Sequence, residues 1–391
     1  MQTVYSRPSP DLTYYKAGSV VPLKVSGNMG GPKNLHLMVS LEARKNVTTY
    51  GTTPSGDYLE PDDEIRYDSF TGLAGALQSN ITHTIYGFGD VPGSQDKSLL
   101  MAFQGRGKNI RSEIGADLKD SSKQLVPDYT IGTLRLLQQV ETPANPQKGT
   151  GIHIDIPLMT AIDMCYDEKG RPSSIPFNKF PVHDINITLP PAKLMFHGAD
   201  MDSDVQYWIT NVEYKYDIDL APTPNPLVRI YSKFTGLANS LIPQVNVNSN
   251  IVADSIFMGF IPESETGTYT YNDYRMARLP DWRKASFSLN GDETFKYAYE
   301  LNTEADLLYQ AQLAINGNTG NTSLNMEMLQ RGDTTSDGFI VGTRYNRPVD
   351  LRKKTAGVRL ECGPLGPTNI GAKKYIVRGY VGGFMSLVNR K

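Results

Sequence analysis

The sequence predicts an all-β chain organised as two β-rich domains in tandem. Three observations carry that reading. Apolar and polar residues alternate with a period of two over long stretches, helical spacing is scarce, and one eleven-residue pattern occurs twice about a domain's length apart. At 391 residues, 39% of them hydrophobic and 20% charged, the chain can bury a core in each half and is not disordered by composition. Its 22 Tyr, 35 Gly and 25 Pro favour strands joined by turns, as in sandwiches and barrels.

The elements follow in chain order. "YDSFTGLAGALQ" from Tyr67 and "YSKFTGLANSLI" from Tyr231 share Y-x-x-F-T-G-L-A-x-x-L, which sets Phe70 and Phe234 164 residues apart. Helical and blade repeats have periods of roughly 20 to 50 residues, so this spacing suits a duplicated domain. Each copy is expected to form one short helical turn, in related places of two similar folds. "GIHIDIPL" from Gly151 and "INITL" from Ile185 alternate as strands. "WITNVEYKYDIDL" extends the pattern. Trp208, Thr210, Val212, Tyr214, Tyr216, Ile218 and Leu220 should share a dry face, with Asn211, Glu213, Lys215, Asp217 and Asp219 on the wet one.

Pro222, Pro224 and Pro226 alternate in "LAPTPNPLV", which denies ladder donors and favours an extended spacer. The chain is therefore expected to divide into residues 1–221, a Pro-rich linker over 222–226, and residues 227–391. Beyond the linker, "ASFSLNG" from Ala285 reads as a strand, and Asn290-Gly291 suits a two-residue hairpin turn that needs positive φ. "NTEADLLYQAQLAING" is the best helix. Thr303 and Asp306 have capping-box spacing, Leu307, Leu308, Ala311 and Ile315 form an apolar stripe, and Gly317 can close the end. "VRLEC" from Val358 and "YIVRGYVGGFMSLV" close the chain as strands, with Gly379, Gly382 and Gly383 expected to mark a bend or bulge.

Charge and cysteine content narrow the function classes. The net charge is −2 and the pI near 6.2, without the basic surplus of a general nucleic-acid binder or a basic arm at either end. The opening residues lack an apolar signal-peptide core, so synthesis without a secretory signal is expected, and no stretch has the length of a membrane span. Cys165 and Cys362 are the only cysteines and read as small core residues rather than a disulfide framework.

A search for chemistry returns little. His36, His83, His153, His183 and His197 form no HExxH pair, two cysteines cannot make a CxxC site, and His153 is expected to face solvent from its strand. Asp200, Asp202 and Asp204 have the opening spacing of a calcium loop. Val205 stands where the sharp-turn Gly belongs and Asn211 where the bidentate Glu belongs, so a solvated turn is the plainer reading and a bound cation the sharper one. Asp62 and Asp63 in "EPDDE" read as a polar loop, and neither a phosphate loop nor a GxSxG elbow occurs. Arg331-Gly332-Asp333 is the tripeptide that integrins read, set among turn residues. A polar turn is its plain reading and receptor binding its sharp one. No cofactor and no catalytic residue is expected, which favours a scaffold over an enzyme.

The second half adds a resemblance. "SIFMGFIPESETGTYTYNDYRMARLPDWRKASFSLNGDE", from Ser255 to Glu293, resembles the second jelly roll of double jelly-roll major capsid proteins of the PRD1–adenovirus lineage, especially those of Polinton-like and adintovirus-like elements. The matching positions are Gly259, Gly267, Tyr269, Asn272, Tyr274, Leu289, Asn290 and Gly291. "DGFIVGTRYNRPVDLRKKTAGVRLECGPL" is similar to the same family's late strands at Gly357, Arg359, Leu360 and Glu361, and "YIVRGYVGGFMSLVNRK" to its closing strand.

The resemblance implies two tandem eight-stranded jelly rolls with short helices in loops. It also implies a major capsid subunit whose homotrimers, pseudo-hexameric in outline, tile an icosahedral shell. Its partners would be itself, neighbouring capsomers, penton and minor capsid proteins and an inner membrane where one exists, with no sequence-specific nucleic acid. Its place would be the virion. Two alternatives stay open: a vertex (penton) or minor capsid protein with one jelly roll plus an insertion, and a glycan-binding β-sandwich. Trp208 and Trp282 are the only tryptophans a sugar platform could use.

Overall fold

The computed structural model describes residues 2–59, 63, 65–67, 72–93, 95–98, 100, 152–198, 204–239, 244–263, 282–289, 292–300, 304–316, 340–362 and 374–388. Strands before the proline segment are β1 (Gln2–Ser6), β2 (Tyr15–Lys16), β3 (Val20–Ser26), β4 (Gly31–Lys45), β5 (Asp57–Tyr58), β6 (Arg66–Tyr67), β7 (Ile81–Ile85), β8 (Gly89–Asp90), β9 (Ile152–Pro157), β10 (Cys165–Tyr166), β11 (Val182–Thr188), β12 (Phe196–His197) and β13 (Gln206–Asp219). After it come β14 (Leu227–Asn239), β15 (Gln244–Val247), β16 (Val252–Pro262), β17 (Trp282–Leu289), β18 (Asp292–Glu300), β19 (Val341–Asp350), β20 (Ala356–Cys362) and β21 (Lys374–Ser386). The described helices are α1 (Gly72–Leu77), α2 (Ala192–Met195) and α3 (Glu304–Asn316).

Sheet order identifies the architecture. The later strands form two antiparallel sheets, β14-β21-β16-β19 and β15-β20-β17-β18. Numbered within their half, these orders are 1-8-3-6 and 2-7-4-5. The pairs 1/8, 2/7, 3/6 and 4/5 are those of one long antiparallel ribbon, and rolling that ribbon up brings strand 8 against 3 and strand 7 against 4. That is a jelly roll. The earlier strands repeat it: β13 lies between β2 and β4, β9 flanks β4, and the facing sheet runs β3-β11-β7-β8. The fold is a double jelly roll, with β1 added beside β13 and β5 beside β4.

Alternation decides which faces are dry. In β3, Val21, Leu23 and Val25 point inward. In β11, Ile185 and Ile187 do the same, each at most 2% exposed. Against them pack Leu35, Leu37, Val39 and Leu41 of β4, the facing layer of the sandwich. Full burial of each such aliphatic side chain stabilises by roughly 1.5–3 kcal/mol, so the paired sheets supply most of the driving force.

The long strand β13 departs from its expected phase. Opposite β4, Thr210 pairs with Ser40 and Glu213 with Met38, so two residues of β13 face one of β4. This β-bulge is made possible by Asn211 at φ 50°, a left-handed conformation that Asn tolerates. A bulge shifts the side-chain period by one. Tyr207 and Ile209 therefore join the core with Val212, Tyr214 and Tyr216, while Trp208 turns to the opposite face. Trp208 is still fully buried there. Tyr50 meets it edge-on at 5.1 Å, and its Nε1 donates to the carbonyl of Gly51 at 3.2 Å.

The repeated FTGLA pattern does not mark equivalent places, contrary to the expectation. In the first copy Gly72–Leu77 is helix α1, in the connection from β6 to β7, with Leu73, Ala76 and Leu77 buried at helical spacing. In the second copy the same Gly-Leu-Ala lies inside strand β14, where Gly236 pairs with Val377 and Leu237 with Ile376. Phe70 and Thr71 lie outside the described residues. A pattern of five residues carries too little intrinsic preference to resist a thirteen-residue ladder with β21.

Helix α3 stands where the apolar spacing placed it and packs with Ala311, Ala314 and Ile315 buried against β19 and β16. Leu289 pairs with Asp292, leaving Asn290 and Gly291 as the connection, although both lie outside the described residues. Gly379, Gly382 and Gly383 produce no bulge in β21. The extra residue is Asp254 of the neighbouring β16, between Ala253 and Ser255, which face Gly383 and Gly382. A side chain at Gly383 would run into the backbone carbonyl of Val252, so the glycines permit close approach of two strands. The proline segment joins β13 to β14 and is pinned by Lys179, whose Nζ donates to the carbonyl of Pro224 at 2.7 Å.

Candidate functional site

The strongest concentration of buried polar chemistry lies at the seam between the rolls. Its centre is Arg229 on β14, 4% exposed between the fully buried Val228 and the nearly buried Ile230. Its guanidinium forks onto Asp254, with Nη1 to Oδ2 at 3.0 Å and Nη2 to Oδ1 at 3.1 Å. Nη2 also reaches Ser255 Oγ at 2.9 Å, and Nε donates to the Tyr231 hydroxyl at 2.8 Å. That hydroxyl donates in turn to the carbonyl of Ile315 at the end of α3, 3.1 Å away. Burial alone would lower the pKa of Arg229; Tyr231 and Asp254 outweigh it and raise it above its ordinary value. The bulge at Asp254 is what turns this carboxylate towards Arg229.

The first roll closes over this cluster. Its β10 pairs with the start of β14, Cys165 opposite Val228 and Tyr166 opposite Leu227, and the backbone N–H of Arg229 donates to the carbonyl of Met164 at 2.9 Å. An edge strand of one roll is thereby capped by the other. On the far side, the chain after β8 docks by Asp96, which pairs with Lys233, while the Tyr380 hydroxyl donates to the Asp96 carbonyl at 3.0 Å. Gly93, at φ 121°, lies so close to β14 that a Cβ there would sit 2.8 Å from the carbonyl oxygen of Tyr231. Tyr231, Phe257 and Tyr380 form an aromatic cluster with centroids 5.8–6.4 Å apart, continuous with the core of the first roll. Both core clusters contain residues of both rolls.

A cavity of about 260 Å³ opens beside this seam, walled by β7, β8 and the chain that follows, the turn at Met159–Met164, and Arg229 with Ile230. His83 lies against it and is 7% exposed. Its Nδ1 accepts from the N–H of Ala161 at 3.3 Å, so its Nε2 carries the proton and donates to His183 Nδ1 at 3.1 Å. Burial holds both rings neutral, lowering His83 well below its usual range, with His183 and Lys97 adding to the effect, and His183 to about 4. Lys97, 8% exposed, is pulled down to about 8 by burial, which Asp96 opposes.

The residues singled out from sequence fall elsewhere. Asp204 is exposed at φ 50°, while Asp200 and Asp202 lie outside the described residues. Arg331, Gly332 and Asp333 also lie outside them. Among the described residues no group of three His, Cys, Asp or Glu side chains could hold a metal ion, and no described helix is long and apolar enough to cross a membrane. Asp63 is a buried partner of Lys45 at 2.7 Å, not part of a free polar loop. His36 bonds Asp155 at 2.7 Å; the side chains of His153 and His197 lie outside the description. Cys165 is a buried free thiol whose pKa burial pushes up to about 12, so it is inert core. The side chain of Cys362 is outside the description. Sequence reading missed Arg229 and Asp254, although each is a lone charge in an apolar strand run, "LVRIY" and "VADSIFMGF". Two opposite charges of that kind are the signal for a buried pair.

No family model and no curated protein matches the chain by sequence. Solved structures do share its fold. The faustovirus major capsid protein superposes with a TM-score of 0.50 at 11% identity, covering 100% of this chain and 90% of that one. The PBCV-1 virus capsid gives 0.50 at 10% identity, with 99% and 95% covered. The mavirus major capsid protein gives 0.48 at 11% identity, with 100% and 90% covered.

Proposed function

We propose that this chain is a structural protein of a viral shell, a double jelly-roll major capsid subunit that assembles as a homotrimer. The observation that carries the proposal is the seam. Two jelly rolls, taken in this reading as residues 1–221 and 227–391, interlock: both contribute to each core cluster, and β10 of the first pairs with β14 of the second, so one chain forms a double block. Three such chains would present six rolls in a ring, a closed arrangement of pseudo-hexameric outline that packs into an icosahedral sheet. The fold shared with the faustovirus and PBCV-1 proteins supports a capsid role.

Surface chemistry supports self-assembly as well. Met29 and Leu220 are each 80% exposed and Tyr86 71%, the highest values among the large apolar side chains of the described residues. All three lie at one end of the first roll, because Gly31 pairs with Asp219, and Ser26 and Ile85 both lie at the same end of β11. Apolar groups gathered at one end of a block suit contact with a neighbouring block. Neighbouring capsomers, penton and minor capsid proteins are the partners this role requires, and the virion is its place.

Native mass spectrometry of the purified protein across a concentration range tests the reading. A stable assembly of three 43.3 kDa chains is the expected result. A pentamer would transfer the assignment to a vertex protein, and a monomer at every concentration would overturn both.

A further inference from the structure

The cavity beside the seam contains an unsolved charge problem. Lys97 lines it and is more than nine-tenths buried, yet among the described residues its ammonium has no hydrogen bond and no ion pair. The nearest carboxylate in sequence, Asp96, is engaged by Lys233 and by the Ser98 hydroxyl at 2.5 Å. Asp90 is exposed at the rim and takes the Thr84 hydroxyl at 2.6 Å. Arg229 on the opposite wall is balanced by Asp254. The two histidines are neutral and their facing nitrogens are committed to each other and to Ala161. Burial lowers Lys97 only to about 8, so it carries its charge at neutral pH. A buried cation without a counter-charge is costly, by several kcal/mol in real proteins, and native structures compensate such groups.

Two further donors line the same space. The Thr82 hydroxyl and the Gln95 side-chain amide have no hydrogen-bond partner among the described residues, and Gln95 is exposed, so the cavity opens to solvent beside it. At about 260 Å³ the space far exceeds the roughly 10–15 Å³ needed for one water. We propose that this cavity binds a small free oxyanion of the phosphate type, with Lys97 as the charged anchor and Thr82 and Gln95 as neutral donors. A compact tetrahedral anion offers several acceptor oxygens to donors that line the same space, and it neutralises Lys97, which has no ion pair among the described residues. Since β14 forms one wall and β7 another, an anion held there would also tie the two rolls together. This inference stands on the cavity and does not depend on the capsid reading.

Inorganic phosphate is the probe. Wild-type protein is titrated by isothermal calorimetry at fixed ionic strength set with chloride, beside Lys97→Met and Thr82→Val. Saturable binding is expected for wild type, with at least a tenfold loss of affinity in Lys97→Met and a smaller loss in Thr82→Val. Without phosphate, Lys97→Met should melt no lower than wild type, since it removes an unpaired buried charge. Amine acylation of wild type gives a readout that needs no variant: phosphate should slow modification of Lys97 and leave the exposed Lys169 unaffected. Absence of saturable binding at millimolar phosphate would overturn the proposal. So would binding that Lys97→Met leaves unchanged, or acylation of Lys97 at the same rate with and without phosphate.

Discussion

Arg229 and Asp254 meet in a two-pronged ion pair at 3.0 and 3.1 Å, with side chains only 4% and 10% exposed, where the two rolls join. Each charge sits in an apolar run of its strand. Arg344 Nη2 also lies 3.7 Å from Asp254, whereas Arg229 has no second carboxylate partner among the described residues. Removing Asp254 therefore strands Arg229. Asp254→Ala is expected to lose about 3–5 kcal/mol of unfolding free energy in urea melts. The double replacement of Arg229 by Met and Asp254 by Leu should recover most of that loss. If the single variant melts like wild type, the pair does not hold β14 and β16 of the second roll together.

The neutral histidine pair makes the fold acid-sensitive. The unfolded chain takes up protons near the usual histidine value of 6.5, whereas burial lowers folded His183 to about 4 and holds His83 well below its usual range as well. A lowered folded pKa means that the contribution is whole above about pH 6.5 and is lost as the pH falls towards 4. For His183 alone the loss approaches on the order of 3 kcal/mol, at 1.36 kcal/mol per pKa unit. Asn at position 183 can keep an oxygen acceptor where Nδ1 stands and cannot titrate. Urea melts from pH 7.5 to 4.5 should show a shallower decline for His183→Asn than for wild type.

Gly93 is a tolerance test of the seam. Its φ of 121° is one that L side chains rarely adopt, and a Cβ would sit 2.8 Å from the Tyr231 carbonyl. Gly93→Ala is expected to cost about 1–3 kcal/mol from backbone strain alone. Gly170, also at positive φ but with open space around it, is the control and should lose less. Thermal melts of the two variants side by side decide the point.

The exposed apolar end of the first roll should govern assembly rather than folding. Leu220→Asp and Met29→Asp remove side chains that are 80% exposed, so melting temperatures of the separated chain should stay within a degree or two of wild type. The trimer fraction in native mass spectra should fall several-fold at equal concentration. Unchanged trimer would locate the contact on another face.

Much of this molecule was legible in its residues, for a local reason. Period-two alternation dictates which side of a strand is dry, and it read β9, β11 and the later part of β13 correctly. Apolar spacing located α3, and Asn290-Gly291 falls where β17 turns into β18. These features rest on interactions between residues near one another in the chain. The all-β class and the double jelly roll followed from them together with the family resemblance.

Tertiary structure decided what depended on partners far away in sequence. The same Gly-Leu-Ala is helix at Gly72 and strand at Gly236, because only the second copy has β21 to pair with. The phase of Trp208 flipped because a bulge at Asn211 arises from the fit between β13 and β4, strands that begin 175 residues apart. Asp254 sits in its bulge opposite two glycines of the closing strand, and only that geometry brings it to Arg229. Lys97 is buried beside a cavity that Arg229 and Ile230 of the second roll help to wall, a setting no local pattern encodes. Sequence alone determines the alternation and therefore the sheets; the seam, its buried charges and its cavity exist only when the two rolls meet, because burial is a property of the assembled core.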